Sequence, residues 1–531
     1  MFDETIYIIV IKNPFNNLPY VFVNRFGKSN LLDDITSVLK YNKIVSYGFE
    51  DLIDIIRKRG LNINSLIIDI VTMKKLCVGK QKSEYNDNLP WNLIPLIGKY
   101  VDKTTVIWLK MIINFEIINL REDENYQKNI NNLMEGFIKC FHDIEKQLKS
   151  EEYNRYYDTE VKLYNIFINT QKNGIRIDQT LLENKIIELR ENYYFSIKIL
   201  EIDYGFNSEF IQSKMQWSDI SKYCKLQNFE SDFDYNFWST VELLHEEDKF
   251  LKYLLDAHDS FRDYNELLKY KLDKYYLIYP IFDIVGTITS RIQIISPGIQ
   301  FIKKSNRDIF IPRDNMNFLY ADFCQFEPGI LASFSGDEKF LVIYNRSDVY
   351  EELSKLLFND VTHRRICKTL FLAFVYGMKK DNIYKLIEKI TDNITAEKGI
   401  KFFEHFNQIQ EWKKSKVNEA ESIGYSKSYF GNYRYLKEKG KCTDQEKRWI
   451  PNQIIQGTAS YIFKTSILEL YENVKDIGVN LLIPMHDAIL LEIPTKETDN
   501  VKNLVTNIFS DCFSKVCPKI IPRISFDEFA R

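Results

Sequence analysis

The spacing of apolar and polar positions changes several times along the chain and divides it into stretches of different character. Up to about residue 145, short apolar runs alternate with polar turns. Ile6–Ile11, Tyr20–Phe26, Lys43–Ser46, Ser65–Ile70 and Thr105–Leu109 read as strands, the first two joined by a turn at Asn13–Asn17. Helical stretches such as Leu52–Arg59 lie between them, so this part reads as α/β. Residues 125 to 272 turn to a 3.6-residue period, with long amphipathic patterns over Thr180–Leu200 and His245–Tyr270. From about 273 the strand-like rhythm returns at Tyr276–Val285 and Phe318–Asp322. Residues 349–425 are strongly helical, and 426–450 are loop-rich and basic. Asn452–Val474 is helical, and Leu481–Pro494 reads as a hairpin. The expected fold class is a multidomain α+β and α/β chain without internal repeats.

Length and composition narrow this picture. A chain of 531 residues exceeds what one core supports, so two to four packed units are expected. Hydrophobic content of 45% with 27% charged residues describes a globular protein and argues against a disordered or fibrous one. Net charge is −3, so any contact with nucleic acid must rest on local clusters. Lys303, Lys304, Arg307 and Arg313 form one cluster. Lys427, Arg434, Lys437, Lys439, Lys441, Lys447 and Arg448 form another. Either run alone is most simply a solvated face. The 8 cysteines include no CxxC pair, which argues against a zinc or disulfide framework and for the cytoplasm or another reducing compartment. Met1-Phe2-Asp3-Glu4 lacks a basic leader, and the apolar stretch Thr105–Leu120 is interrupted by Lys110 and Glu116. No membrane association is therefore expected.

Candidate chemistry concentrates in the second half. Asp322 ends the run Leu319-Tyr320-Ala321-Asp322-Phe323, and Asp487 ends Leu481 to His486-Asp487. A carboxylate at the end of a buried strand is costly unless it is paired or binds a cation. Two brought side by side would suit Mg²⁺, which takes oxygen ligands and completes its shell from phosphates and water. Taken singly, each aspartate reads equally as a turn or cap residue. Between them, Arg364, Lys368 and Leu372 share a helix face, with Tyr376 one turn further on and Gly377 beside it. Two cations followed by a ring suit a triphosphate and a base; an amphipathic helix with a solvated basic edge is the plain alternative. Gly286-Thr287-Ile288-Thr289-Ser290-Arg291, with Pro297 and Gln300, offers donors for minor-groove acceptors, or is a surface loop. Arg448, Asn452 and Gln456-Gly457-Thr458 share a further helix face suited to a template strand.

In order and spacing these segments resemble the polymerase region of family A DNA polymerases, the relatives of bacterial DNA polymerase I, over about residues 160–531. Asp322-Phe323-Cys324-Gln325-Phe326-Glu327, leading to Ser335-Gly336-Asp337, is similar to the family's first catalytic motif. Arg364-Arg365-Ile366-Cys367-Lys368 to Tyr376-Gly377-Met378 resembles its nucleotide-binding helix, and Met485-His486-Asp487 its third motif. Ser290-Arg291, Gly431-Asn432-Tyr433-Arg434 and Gln456-Gly457-Thr458 also match.

The resemblance implies a right hand preceded by an RNase H-like exonuclease-type domain. The units would be 1–145 (exonuclease-type), 146–272 (linker helix and thumb), 273–348 (first part of the palm), 349–445 (fingers) and 446–531 (second part of the palm). It implies that Asp322 and Asp487, with the Phe323 backbone carbonyl, hold two Mg²⁺ ions, for which Mn²⁺ can substitute. Arg364 and Lys368 would bind the triphosphate, and Lys368 would protonate the leaving pyrophosphate. Gln325, Glu327, Leu372 and Tyr376 would complete the dNTP site, with Glu327 excluding a ribose 2′-hydroxyl. Arg291, Gln300, Arg434, Arg448, Asn452, Gln456 and His486 would contact primer–template DNA, and replication accessory proteins would be further partners. The chain departs from the family pattern at Leu372 (usually aromatic), Gly329 (usually arginine), Tyr350 (often histidine) and Ala488 (often an acid).

Ile44-Val45-Ser46-Tyr47-Gly48-Phe49-Glu50-Asp51 resembles the family's second exonuclease motif, and Ile67-Ile68-Asp69-Ile70-Val71 follows it. The first strand, however, has no Asp-x-Glu pair, and Ile130 stands where an acid would follow Tyr126. A domain silent in proofreading is expected, and with it a specialised role; replication of a small genome, such as that of a phage or mobile element, and repair of a larger one both stay open. The rival readings are a single-subunit RNA polymerase relative, disfavoured by Glu327, and a silent polymerase-like DNA-binding accessory protein, disfavoured by Asp322, Lys368 and Asp487.

Overall fold

The structure is a computed structural model and describes residues 5–13, 19–79, 89–116, 120–205, 241, 248–270, 272–378 and 380–530. The expected turn at Asn13–Asn17 lies, apart from Asn13, outside the described residues, as does the start of the expected helix at His245.

The N-terminal part is built on a five-stranded sheet of β1 (Thr5–Ile11), β2 (Tyr20–Arg25), β3 (Lys28–Leu31), β4 (Lys43–Tyr47) and β5 (Leu66–Asp69), in the order β3-β2-β1-β4-β5. β1 runs antiparallel to β2 and parallel to β4, and β4 runs parallel to β5. Alternation along β1 sends Ile6, Ile8 and Val10 to one face and Ile9 and Ile11 to the other. Both faces are covered, as parallel pairing requires. Leu52, Ile53 and Ile56 of the helix Glu50–Lys58 pack on the first, and Ile130, Leu133 and Phe137 of Tyr126–Gln147 on the second. The exposed edge of β5 is closed by Asn165, whose amide accepts from Ile67 N and donates to Ile67 O, both at 2.9 Å.

Thr105–Leu109 is not the strand expected from its β-branched run. It lies in the helix Lys103–Ile113, where Thr105, Trp108, Leu109 and Ile112 are buried on one face. Asp102 caps that helix by accepting from Thr105 N at 2.7 Å. The cap and the 3.6-residue period outweigh β-propensity here.

Three linked helical segments lead away from the sheet: Ser150–Arg155, a π turn at Tyr156–Glu160, and Val161–Asn173. β6 (Ile175–Arg176) follows, then two long helices, Gln179–Tyr204 and Lys249–Leu267, packed on each other. Short strands β7 (Leu277–Ile278), β8 (Ile281–Asp283) and β9 (Gln293–Ser296) come next, with β6 paired to β7 and β8 to β9.

The second main sheet has four antiparallel strands in the order β13-β14-β10-β15. They are β10 (Met316–Phe323), β13 (Asn480–Met485), β14 (Ala488–Pro494) and β15 (Ile524–Ser525). Phe323 stacks on Phe326 and Phe509, with ring centroids 4.2 and 4.9 Å apart, which seats the end of β10 on the helices Phe326–Ser335 and Thr498–Val516.

Between β10 and β13 the chain forms the helices Glu338–Arg346, Val349–Phe358, Arg364–Val375, Lys380–Ile390, Asn393–Glu404 and Asn407–Ile423. The hairpin β11 (Tyr425–Lys427)–β12 (Tyr433–Tyr435) follows. The last long helix is Asp444–Val474 and starts eight residues before the expected Asn452. Thr443 and Glu446 close a capping box at its start, so Pro451 is carried inside the helix and does not begin it. One apolar cluster runs from the first sheet (Ile8) through the second (Ala321, Leu490) to Phe371 of the helix Arg364–Val375. Among the described residues no helix is long and apolar enough to cross a membrane.

Candidate active site

Asp322 and Asp487 are brought together by the second sheet. Met485 pairs with Ala488 across a two-residue hairpin turn, His486-Asp487, and Ala488 in turn pairs with Asp322. His486 takes the left-handed conformation, φ 62°, that this tight turn demands. Phe323 N donates to Asp487 O at 3.2 Å, tying the turn to the end of β10. Both carboxyls are pushed up from the ordinary range. For Asp322 burial is the main cause and the charge of Asp487 the next; for Asp487 burial leads, followed by the charge of Glu327. Lys368 opposes both shifts. Asp322 Oδ1 is buried without a hydrogen-bond partner. A buried, unsatisfied carboxylate oxygen beside a second carboxylate is suited to a hard divalent cation. No group of three or more His, Cys, Asp or Glu side chains among the described residues could hold a metal, so phosphates and water would have to complete the shell.

The helix Arg364–Val375 faces this pair, with Lys368 exposed and Leu372 half-buried one turn on. Arg364 donates to Asp348 Oδ2 from Nε at 3.1 Å and from Nη2 at 2.6 Å, and its guanidinium lies 5.2 Å from the centre of the Tyr350 ring. Tyr350 therefore supports the arginine by its ring face.

At the far end of the helix, Tyr376 is the C-terminal cap and Gly377 turns left-handed at φ 83°. The Tyr376 hydroxyl donates to Glu327 Oε2 at 2.5 Å, and Arg291 forms an ion pair with the same carboxylate. Gln456 reaches the Tyr376 hydroxyl as well, and Asn452 Nδ2 donates to Tyr376 O at 3.4 Å. Arg291, Glu327, Tyr376, Asn452 and Gln456, far apart in the chain, thus form one connected set. Arg434 lies 3.9 Å from the centre of the Trp449 ring; Arg448, next to Trp449, is exposed, as is His486 in the turn before Asp487.

Two expected side chains are turned away. Gln300 is buried, accepting from Ile294 N at 3.1 Å and donating to Ile292 O at 3.2 Å and Pro484 O at 2.6 Å. Its amide joins β9 to β13, which leaves it no free donor for a duplex. Gln325 is likewise buried, its Oε1 accepting from Val349 N at 3.0 Å, so its side chain links two helices and does not face a nucleotide. Gly329 has a plain cause: a Cβ there would stand 2.6 Å from the Tyr344 hydroxyl and 3.0 Å from Phe513. That space is filled, and an arginine cannot enter it. Two further side chains, Asp348 and Lys413, hold the ends of the helix Arg364–Val375. Asp348 carried a signal as an N-cap candidate before Val349-Tyr350-Glu351. Lys413, which donates to Phe374 O and Val375 O at 3.2 and 2.9 Å and so caps the helix Arg364–Val375, carried none.

The family model for DNA polymerase family A matches residues 240–519, more than half of the chain. The chain belongs to DNA polymerase family A. Among curated relatives of this family, DNA polymerase I of Borreliella burgdorferi is 24% identical over 437 residues, covering 76% of this chain and 47% of that protein. The thermostable DNA polymerase I of Thermus filiformis is 26% identical over 251 residues, covering 44% of this chain and 30% of that protein. The chain thus spans less than half the length of these relatives. A solved structure, the POL domain of Pol1 from M. smegmatis in complex with DNA primer-template and dNTP, superposes with a TM-score of 0.75 at 16% identity. The match covers 98% of this chain and 94% of that one. The fold is thereby that of a family A polymerase domain, and the expected mixed α/β and α+β class stands.

Proposed function

We propose that this chain is a DNA-templated DNA polymerase that extends a primer 3′ end with dNTPs by nucleotidyl transfer. The observation that carries the reading is the placement of Asp322 beside Asp487, with Lys368 acting on both and the Arg291–Glu327–Tyr376 set next to them. Asp322, Asp487 and the Phe323 carbonyl would hold two Mg²⁺ ions, or Mn²⁺ in their place, and the unpartnered Asp322 Oδ1 supports that fit. When bound, the ions would supply the charge that stabilises the entering and leaving oxygens of an in-line displacement.

The remaining roles belong to the chain's own groups. Arg364 offers the triphosphate a planar fork and Lys368 a point charge, the latter with a proton on Nζ for the departing pyrophosphate. Glu327 is held by Arg291 and Tyr376 from two sides, so it cannot swing away from an incoming sugar. A fixed carboxylate there excludes a 2′-hydroxyl and favours dNTPs, the observation that disfavours an RNA polymerase. Leu372, smaller than the ring usual in the family, leaves the sugar face less tightly packed. Arg291, Asn452, Gln456, Arg434, Arg448 and His486 would line the primer–template path.

The N-terminal unit is read as an RNase H-like scaffold without proofreading. Its carboxylates have structural duties. Asp69 caps the helix Ile70–Val78, accepting from Thr72 N and Thr72 Oγ1 at 2.7 Å each, and Glu50 accepts from the Tyr164 hydroxyl at 3.2 Å. The test is primer extension on a defined template. Template-directed addition of dNTPs in Mg²⁺ is expected, with no trimming of a mismatched 3′ end. Binding of primer–template without extension would favour the silent accessory protein.

A further inference from the structure

The linker between the N-terminal sheet and the polymerase region holds a group of charges for which nucleotidyl transfer has no use. Arg155 and Glu160 are fully buried, with Arg155 Nε donating to Glu160 Oε1 at 2.9 Å. They are five residues apart, and the π turn Tyr156–Glu160, whose hydrogen bond spans five residues, brings them onto one face. Arg155 Nη1 donates to Phe430 O at 3.1 Å and Nη2 to Ser290 Oγ. Glu160 also pairs with Lys464 Nζ at 2.5 Å, on the long helix that carries Gln456.

Both outer targets of Arg155 are turns that precede a DNA-contact residue. Ser290 is left-handed, φ 56°, and the next residue is Arg291. Phe430 leads into Gly431 and Asn432, also left-handed at φ 67° and 58°, and then to Tyr433-Arg434. A few residues earlier the linker clasps the same hairpin from outside. The Lys149 ammonium lies 3.7 Å from the ring centre of Tyr433 and 3.9 Å from that of Tyr425, and Glu151 accepts from Lys427 at 3.0 Å and from the Tyr433 hydroxyl at 3.1 Å. A buried ionic network adds little net stability over apolar packing of the same volume, so its directional contacts are better explained by placement.

We propose that the segment Lys149–Glu160 is a brace and that Arg155 is its positioning residue, setting the Ser290–Arg291 turn and the Gly431–Arg434 turn in register to grip primer–template DNA. This rests on the polymerase reading above. It gives the N-terminal unit and linker a function independent of nuclease chemistry.

The test measures primer–template affinity by fluorescence anisotropy, and the apparent dNTP affinity by single-turnover incorporation at saturating DNA. The proteins are the 531-residue wild-type chain and its variants Arg155→Lys, Lys149→Met and Lys149→Arg, with thermal melting as the folding control. Lys149 is half-buried, so Lys149→Met keeps the test usable if Arg155→Lys does not fold. Lys149→Met is expected to raise the Kd for primer–template about tenfold, the size of one mis-set DNA contact, with dNTP affinity unchanged. Lys149→Arg keeps the cation on the rings and should restore binding, and folded Arg155→Lys should weaken binding at least as much as Lys149→Met. Wild-type affinity in a folded Lys149→Met would overturn the brace, as would an equal loss of dNTP affinity, which signals general damage. A wild-type protein that binds primer–template but does not extend it would count against the polymerase reading while leaving the brace measurable; one that does not bind would overturn both.

Discussion

Glu327 carries the sharpest residue-scale claim. Its carboxylate is gripped by Arg291 on one oxygen and the Tyr376 hydroxyl on the other, so the proposed sugar gate is a side chain fixed from two sides. Glu327→Ala should raise the ratio of ribonucleotide to deoxynucleotide incorporation by at least about tenfold, the scale on which a pocket discriminates by shape. An unchanged ratio in competitive single-nucleotide incorporation would refute the gate. The chemistry and order of Asp322, Asp487, Lys368, Glu327 and Tyr376 single them out in the sequence, and the fold brings them near one another. The sequence misled at Gln300 and Gln325, since nothing local distinguishes an amide that faces solvent from one that bonds Pro484 O or Val349 N. Gly329 looked like a lost arginine and is a contact position against Tyr344.

At the scale of elements, the helix Arg364–Val375 is held at both ends by side chains from neighbouring helices. At its start Asp348 does two jobs. Oδ1 caps Val349–Phe358 by accepting from Tyr350 N at 2.8 Å, and Oδ2 holds the Arg364 guanidinium. An arginine paired to a carboxylate is partly withheld from a triphosphate. Asp348→Asn keeps a capping oxygen while removing the charge. It should leave the melting temperature near wild type and lower the KM for dNTP by up to about fivefold, the modest range of a partly exposed ion pair. A KM that rises would mean that Asp348 orients Arg364 and does not compete for it. Periodicity located this helix well and failed where long-range features decide. Thr105–Leu109 has strand-like residues under a helix cap, and β3, the polar stretch Lys-Ser-Asn-Leu, is a strand only through its pairing with β2.

Across the whole molecule, the N-terminal sheet and the polymerase region share one continuous apolar cluster, and Glu50, on the helix after β4, accepts from the Tyr164 hydroxyl of the linker helix Val161–Asn173 at 3.2 Å. Burial, with the charge of Asp69 second, raises the Glu50 carboxyl to about 7. Between the unfolded value near 4.5 and that value, the folded chain holds a proton the unfolded chain has released. The stabilisation is therefore complete below the unfolded pKa and is lost as pH rises through about 7. Glu50→Gln, permanently neutral, should melt close to wild type near pH 5 and above it near pH 8. An equal offset at both pH values would show that Glu50 is not the titrating group. The apolar rhythm separated an α/β stretch from the helical one after it, and the absence of acids in β1 was plain in the sequence. The sequence was silent on the brace, because Arg155 and Glu160 look like solvated helix charges until a π turn and three distant segments enclose them.

The central claim is that Asp322 and Asp487 act together in template-directed nucleotidyl transfer. The most direct measurement is single-turnover addition of one dNTP to a primed template in Mg²⁺ by wild type, Asp322→Asn and Asp487→Asn, with primer–template affinity measured in parallel. Both variants should bind DNA within about threefold of wild type and lose at least about a hundredfold in rate, beyond what altering a ligand's support costs. A variant that binds DNA and adds the nucleotide at the wild-type rate would contradict the account.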